Sequence, residues 1–157
     1  MRATIILRPM ERCACDGPTA LKLMTALSAD PIHCVACNLI VPLDRLELAD
    51  GLRDDLRRWG AVMCSVDYLW IDSGDYELWA LHELSDIDSP VNRRGIELRE
   101  RLDGDRPAYY WFFQDESVDE LHPIDRCPAC RGALRGYEGE GLFPQLVCDG
   151  CKILTSG

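Results

Sequence analysis

The apolar positions of this chain change period several times, and each change marks a predicted element. Residues 2 to 8 (RATIILR) are rich in β-branched side chains and predict a strand. Gly17-Pro18 opens a predicted helix over TALKLMTALSA, with proline at the helix start where its missing N–H costs nothing. A turn at Asp30-Pro31 leads into HCVAC. From Leu43 to Trp59, the residues Leu48, Leu52, Leu56 and Trp59 recur at steps of four, four and three, one face of an amphipathic helix, with Gly60 as its expected stop.

The continuous apolar run AVMCSVDYLWI, residues 61 to 71, predicts a buried strand. Ser73 is a candidate cap for a helix turning Tyr76, Trp79, Ala80 and Leu84 inward, and Ser89-Pro90 starts a third helix with Val91, Leu98 and Leu102 on one stripe. After Pro107, AYYWFF predicts another strand, and the acidic DESVDE with His122-Pro123 predicts a linker. The fold class expected is a mixed α/β (α+β) core with a C-terminal zinc ribbon. The expected divisions are 1–42, 43–121 and 122–157.

The cysteines are what give these elements a chemistry. Eight of the nine fall in pairs: Cys13 and Cys15, Cys34 and Cys37, Cys127 and Cys130, Cys148 and Cys151. A zinc ion with four thiolates needs a tetrahedron, and two C-x-x-C turns supply it because each short turn points both sulfurs at one point. Cys127-Pro128-Ala129-Cys130 is such a turn, with Gly132 expected to take the positive φ just beyond it, and Cys148-Asp149-Gly150-Cys151 is its partner. The N-terminal set of Cys13, Cys15, Cys34 and Cys37 is a less typical second zinc site, with eighteen residues between its two pairs. His33 is a possible substitute ligand, expected to face solvent beside the site. The two C-x-x-C units echo one another as PIHCVACNLIVP and PIDRCPACRGAL. The lone Cys64 has no cationic neighbour in sequence to lower its pKa and reads as a structural thiol.

The stretch DYLWIDSGDYELWALHELSDIDSPVNRRGIELRERL, followed by PAYYWFF, CPAC and CDGCKILTS, resembles a family of bacterial proteins of unknown function described as zinc-ribbon-containing and possibly nucleic-acid-binding. The resemblance spans residues 67 to 157. It implies that Cys127, Cys130, Cys148 and Cys151 are zinc ligands. Where such families often have glycine directly after the second cysteine, this chain has Arg131.

Charge then separates the possible partners. The chain carries a formal net charge of −10, and each zinc held by four thiolates would add two more negative charges. Phosphate binding draws its affinity from lysine and arginine, so this field opposes it. Residues 61 to 91 hold Asp67, Asp72, Asp75, Glu77, Glu83, Asp86 and Asp88 with no lysine or arginine at all. A basic protein partner is therefore favoured, docking on Asp67, Asp72, Asp75, Glu77 and Trp79, as an immunity or antitoxin-type inhibitor would.

The alternative is a nucleic-acid-binding ribbon protein using Arg93, Arg94, Arg131, Arg135 and Lys152, with Tyr109, Tyr110 and Trp111 as stacking platforms. Catalysis has little support: the three histidines form no H-E-x-x-H pattern, there is no glycine-rich phosphate loop, and four-thiolate zinc has no open position for substrate. No residue set singles out a small-molecule substrate. No run of some 18 apolar residues suggests a membrane helix, and Ala3 to Leu7 is too short for a signal-peptide core, so a cytoplasmic protein is expected.

Overall fold

The structure, a computed structural model, describes residues 11–116 and 124–157. The strand expected over residues 2 to 8 and the His122-Pro123 linker lie outside the described residues.

A six-stranded mixed sheet carries the fold. Its strands are β1 (Leu21–Leu23), β2 (Ile32–Cys34), β3 (Ala108–Trp111), β4 (Arg135–Gly136), β5 (Gln145–Cys148) and β6 (Ile153–Ser156), in the order β2-β1-β3-β6-β5-β4. β1, β3 and β6 run parallel, and the outer pairs are antiparallel. Between β1 and β3 the chain crosses over through α1 (Leu52–Asp72), α2 (Glu77–Ser85) and α3 (Pro90–Arg101), as a parallel connection requires. One sheet thus draws strands from the N-terminal cysteine segment, from the middle of the chain and from the ribbon.

The helices cover one face. Leu21, Leu23, Ile32, Tyr110 and Ile153 from the strands meet Leu52, Leu56, Trp59, Met63, Val66, Ala80, Leu84 and Leu98 in one buried cluster. The opposite face carries Lys22, His33, Tyr109, Trp111, Val147 and Leu154, since side chains alternate across a strand and the registers Lys22↔His33 and Lys22↔Tyr109 put these residues in line.

Two expected elements are overturned. The segment read as a helix from Gly17-Pro18 is instead β1, because Leu21 and Leu23 alternate about Lys22 and pair with strands on both sides. The segment read as a strand over residues 61 to 71 is the second half of α1, a helix of 21 residues that continues through Gly60. Leu52, Leu56, Trp59, Met63 and Val66 are its buried side chains, and Leu48 precedes it. Glycine is needed at position 60 for space: a Cβ there would lie 2.2 Å from the Ala29 carbonyl oxygen.

At the α2–α3 junction the sequence signal held. Ser89 caps α3 by accepting from the Asn92 backbone N–H at 3.3 Å, and Pro90 follows at the first turn. Asn92 is fully buried, and its Nδ2 donates to the carbonyls of Glu83, Leu84 and Asp86 at 2.7–3.1 Å. The Tyr110 hydroxyl donates to Asn92 Oδ1 at 2.6 Å, and Trp59 Nε1 donates to the Val91 carbonyl at 2.9 Å. These bonds tie α2, α3, α1 and β3 together at one point. Gly95 allows the approach, since a Cβ there would meet the Tyr110 ring at 2.4 Å. α2 itself differs in detail from expectation. It follows a 3-10 turn at Gly74–Tyr76, Ser73 bonds backward to the Leu69 carbonyl without capping it, and only Ala80 and Leu84 turn inward.

Candidate metal centres and the acidic face

Each of the three C-x-x-C units is built the same way. After the second cysteine, the next residue takes a left-handed backbone: Asn38 at φ 61°, Arg131 at φ 63° and Lys152 at φ 55°. This conformation curls the chain so that backbone N–H groups turn toward the sulfurs, and Cys151 N–H stands 3.4 Å from Cys148 Sγ. The positive φ expected at Gly132 falls one residue earlier, on Arg131, the position where glycine was the more usual residue. Cys127 N–H donates to the Gly132 carbonyl at 2.8 Å, and Arg131 N–H to the Cys127 carbonyl at 2.9 Å.

The structure brings both predicted sets together. Cys127, Cys130, Cys148 and Cys151 form one cluster and Cys13, Cys15, Cys34 and Cys37 another, with the four sulfurs of each within 4.8 Å of one another. Zn–S bonds of about 2.3 Å in a tetrahedron put sulfurs about 3.8 Å apart. The Cys130–Cys148 separation is 3.7 Å, so the donor set fits a metal ion of this size. The Cys130 thiol is pulled down to about 7, first by the Gly132 backbone N–H and then by its sulfur neighbours. Burial pushes the Cys37 thiol up to about 12. A metal cation removes that penalty by accepting the thiolate directly.

The surrounding chain holds the clusters in place. Cys13 N–H donates to the Ile40 carbonyl at 2.7 Å, and the Arg45 guanidinium donates to the carbonyls of Cys13 and Cys15 at 2.5 and 3.2 Å. At the other site Arg135 grips Asp149 with two bonds, Nε–Oδ2 at 2.6 Å and Nη2–Oδ1 at 2.7 Å, which locks the second knuckle to β4. His33 is buried, contrary to the solvent-facing position expected, and its Nδ1 lies 3.1 Å from the Asn38 carbonyl oxygen. Cys64 stands in α1, half-buried, its thiol pushed up by burial and by the Asp67 charge.

The acidic segment is mostly a surface. Asp72 and Asp75 are exposed, Glu77 is half-buried and accepts from the Gly74 N–H at 3.0 Å, and Trp79 is 50% exposed. Around them Leu78 is 73%, Tyr76 61% and Tyr68 49% exposed. Tyr76 and Trp79 therefore do not serve the core, while Trp70 does pack inward against the Phe113 ring at 4.9 Å. Asp67 is set apart from the others: it accepts from Thr25 Oγ1 at 2.6 Å, and burial raises its carboxyl to about 6. Among the residues of the basic alternative, Arg94 pairs with Asp55 and Glu97, Arg135 with Asp149, and Lys152 Nζ stands 5.7 Å from the Tyr109 ring centre.

Nothing in the sequence pointed to Lys22. It is fully buried at the centre of the sheet, with Nζ 4.3 Å from the Trp111 ring centre and 5.2 Å from that of Phe143. Burial pulls its pKa down to about 8, against the opposing influence of the Cys34 and Cys37 sulfurs. Only the strand parity of Leu21-Lys22-Leu23 could have placed it on the face away from the helices.

Among known families, the model described as Domain of unknown function (DUF2310) matches residues 19–113. The match reaches further toward the N-terminus than the resemblance over residues 67 to 157, includes Cys34 and Cys37, and stops short of the four C-terminal cysteines; its description names no zinc ribbon. No curated protein and no solved structure matches the chain.

Proposed function

The chain belongs to that DUF2310 family, whose description assigns no activity, and from the sites themselves we propose a non-catalytic zinc protein that binds a basic protein partner. In this reading both four-cysteine clusters hold zinc. Four thiolates close the coordination sphere, so the metal braces short strands and offers substrate no position. Strands of two to four residues have little stability of their own, which is the need such a brace meets. A cytosolic setting keeps the thiols reduced and available.

The observation that carries the partner reading is the exposed apolar set Tyr68, Tyr76, Leu78 and Trp79, standing in a segment that has seven carboxylates and no cation. Aromatic anchors inside a charged rim are how protein interfaces are built, and a purely solubilising surface has no use for them. The acidic rim selects a basic partner and speeds its approach. An inhibitor of the immunity or antitoxin type, covering a basic toxin, is the class that fits. The nucleic-acid alternative is less well supported, because Arg94 and Arg135 are already engaged by carboxylates.

The test is capture from the native host with three baits: the wild type, Trp79→Ala with Leu78→Ala, and Asp72→Asn with Asp75→Asn and Glu77→Gln. The wild type should retain one basic protein. The apolar variant should lose it, and the amide variant should bind it more slowly with a flatter salt dependence, both with unchanged zinc content. Equal retention by all three, or recovery of nucleic acid in place of protein, would defeat the reading.

A further inference from the structure

A second site lies at the end of the sheet, walled by Trp70 of α1 on one side and by Trp111 of the open face on the other. A cleft of about 590 Å³ runs along the carboxyl ends of the three parallel strands, touching Met24 after β1, Phe113 and Gln114 after β3, and Ser156 at the end of β6. Open sheets with parallel strands bind small ligands outside these strand ends, and the volume is within the ordinary range for such sites. Trp70, Trp111, Phe113 and Phe143 supply aromatic walls.

Three side chains here carry polar atoms with no hydrogen-bond partner among the described residues: Asn38 lines the cleft itself, and Lys22 and Gln145 stand behind its wall. Lys22 Nζ is buried over the rings of Trp111 and Phe143 and has no hydrogen-bond acceptor among the described residues. Asn38 Oδ1, on the cleft wall, is also without a partner. So are both amide atoms of Gln145, which pairs across the strands with Ser156 on that wall. The Cys34 and Cys37 sulfurs and two π faces offset the cost of burying this ammonium, but none of them supplies it with an oxygen acceptor for a hydrogen bond. Such a set of orphan groups beside aromatic walls describes a ligand by what it lacks.

We propose that this cleft binds a small planar aromatic anion, with its rings against the tryptophan and phenylalanine walls and its acid group on the Lys22 ammonium. The Asn38 side-chain Oδ1 then accepts from a donor on the ligand's edge, and the Gln145 side-chain amide takes a further polar atom there. For the acid group to reach Nζ the Phe143 ring, 36% exposed on the loop between β4 and β5, has to turn aside. This site borders α1 through Trp70 but is lined by none of the exposed residues Tyr68, Tyr76, Leu78 and Trp79 of the docking face.

The probe is 2-naphthoate, titrated into the zinc-loaded full chain while the four tryptophan indole N–H resonances are followed by NMR, with the neutral 2-naphthamide as its control. Naphthoate should saturate below about 5 mM, shifting Trp111 and Trp70, and should bind roughly tenfold or more tightly than the amide, as one charge-assisted bond provides. Lys22→Met, which keeps the apolar stem, should erase that preference. The proposal fails if no saturable shift occurs, if acid and amide bind alike, or if the preference survives Lys22→Met. It fails equally if the shift centres on Trp59, beside Arg58 and Arg94, since the anion would then be reading those arginines. Should Lys22→Met lose its zinc or its fold, the wild-type preference and its location decide alone.

Discussion

Asp67 offers the sharpest test of the packing described here, because its environment is simple. It sits on α1 with Thr25 Oγ1 as hydrogen-bond donor at 2.6 Å, and the influences on its carboxyl are burial, which raises it, and that hydrogen bond, which lowers it. The result is a pKa of about 6 against an ordinary 3.8. Between those two pH values the folded protein keeps a proton that the unfolded chain has released. Stability therefore falls as pH rises through this window and stays at the lower level above it, where the cost amounts to about 3 kcal/mol. Asp67→Asn removes the charge, keeps the volume and leaves an amide oxygen for Thr25 to donate to. The variant should be the more stable protein at pH 7 by up to about 3 kcal/mol, a large share of an ordinary domain's stability. Urea titrations of the two proteins at matched zinc, from pH 7.5 down to pH 5, measure the gap. Thiolate protonation weakens metal binding in both alike, so the difference isolates residue 67. The gap should narrow toward acid. A variant no more stable at pH 7, or a gap indifferent to pH, would show that the carboxylate is well solvated and that α1 packs otherwise.

The remaining expectations concern the metal and the helix junction. Elemental analysis of protein purified without added metal should find near two zinc per chain; a value near one removes the N-terminal centre, and near zero removes both. Cys130→Ser should cost one zinc, worth on the order of 10 kcal/mol in apparent free energy, and the damage should reach the core because β6 pairs directly with β3. Preserved hydrogen-exchange protection in β3 of that variant would contradict this. Gly95→Ala, pressing a methyl on Tyr110 and Trp59, should lower stability by about 1–3 kcal/mol in thermal melts.

What the sequence disclosed was what it encodes locally. A cysteine pair forms one turn, and Ser89-Pro90-Val91-Asn92 caps and starts its own helix, so both were legible from a few neighbouring letters, though the left-handed residue after the turn was placed one position late, on Gly132. The errors arose where partners are distant. TALKLMTALSA is composed of good helix formers, yet three of its residues become a central strand because β2 and β3 pair with them on either side. The opposite mistake at residues 61 to 71 had a local remedy. Met63 and Val66 extend the stripe Leu52, Leu56, Trp59 at steps of four and three, and the periodicity outweighed both the valines and the glycine at 60. That glycine signalled a close crossing under Ala29, not a stop.

The same registers explain how one small sheet can serve as brace and binding face at once. Cys34 pairs with Leu21, the first residue of β1, and Cys148 with Ile153, the first residue of β6. Both cysteine clusters therefore grip the sheet level with the amino ends of its parallel strands, one on each flank. A metal ion held by each cluster would make that edge rigid, and the carboxyl edge, with Met24, Phe113 and Ser156, is left to a cleft. The α1–α2 face lies on the far side of the helical layer from Lys22, because Lys22 and the core residues Leu21 and Leu23 point to opposite faces of β1. Removing the exposed side chains of Tyr76, Leu78 or Trp79 should accordingly leave the Lys22 site untouched, and altering Lys22 should leave partner capture untouched. A single substitution that disabled both would mean that the two faces report only on whether the sheet is folded.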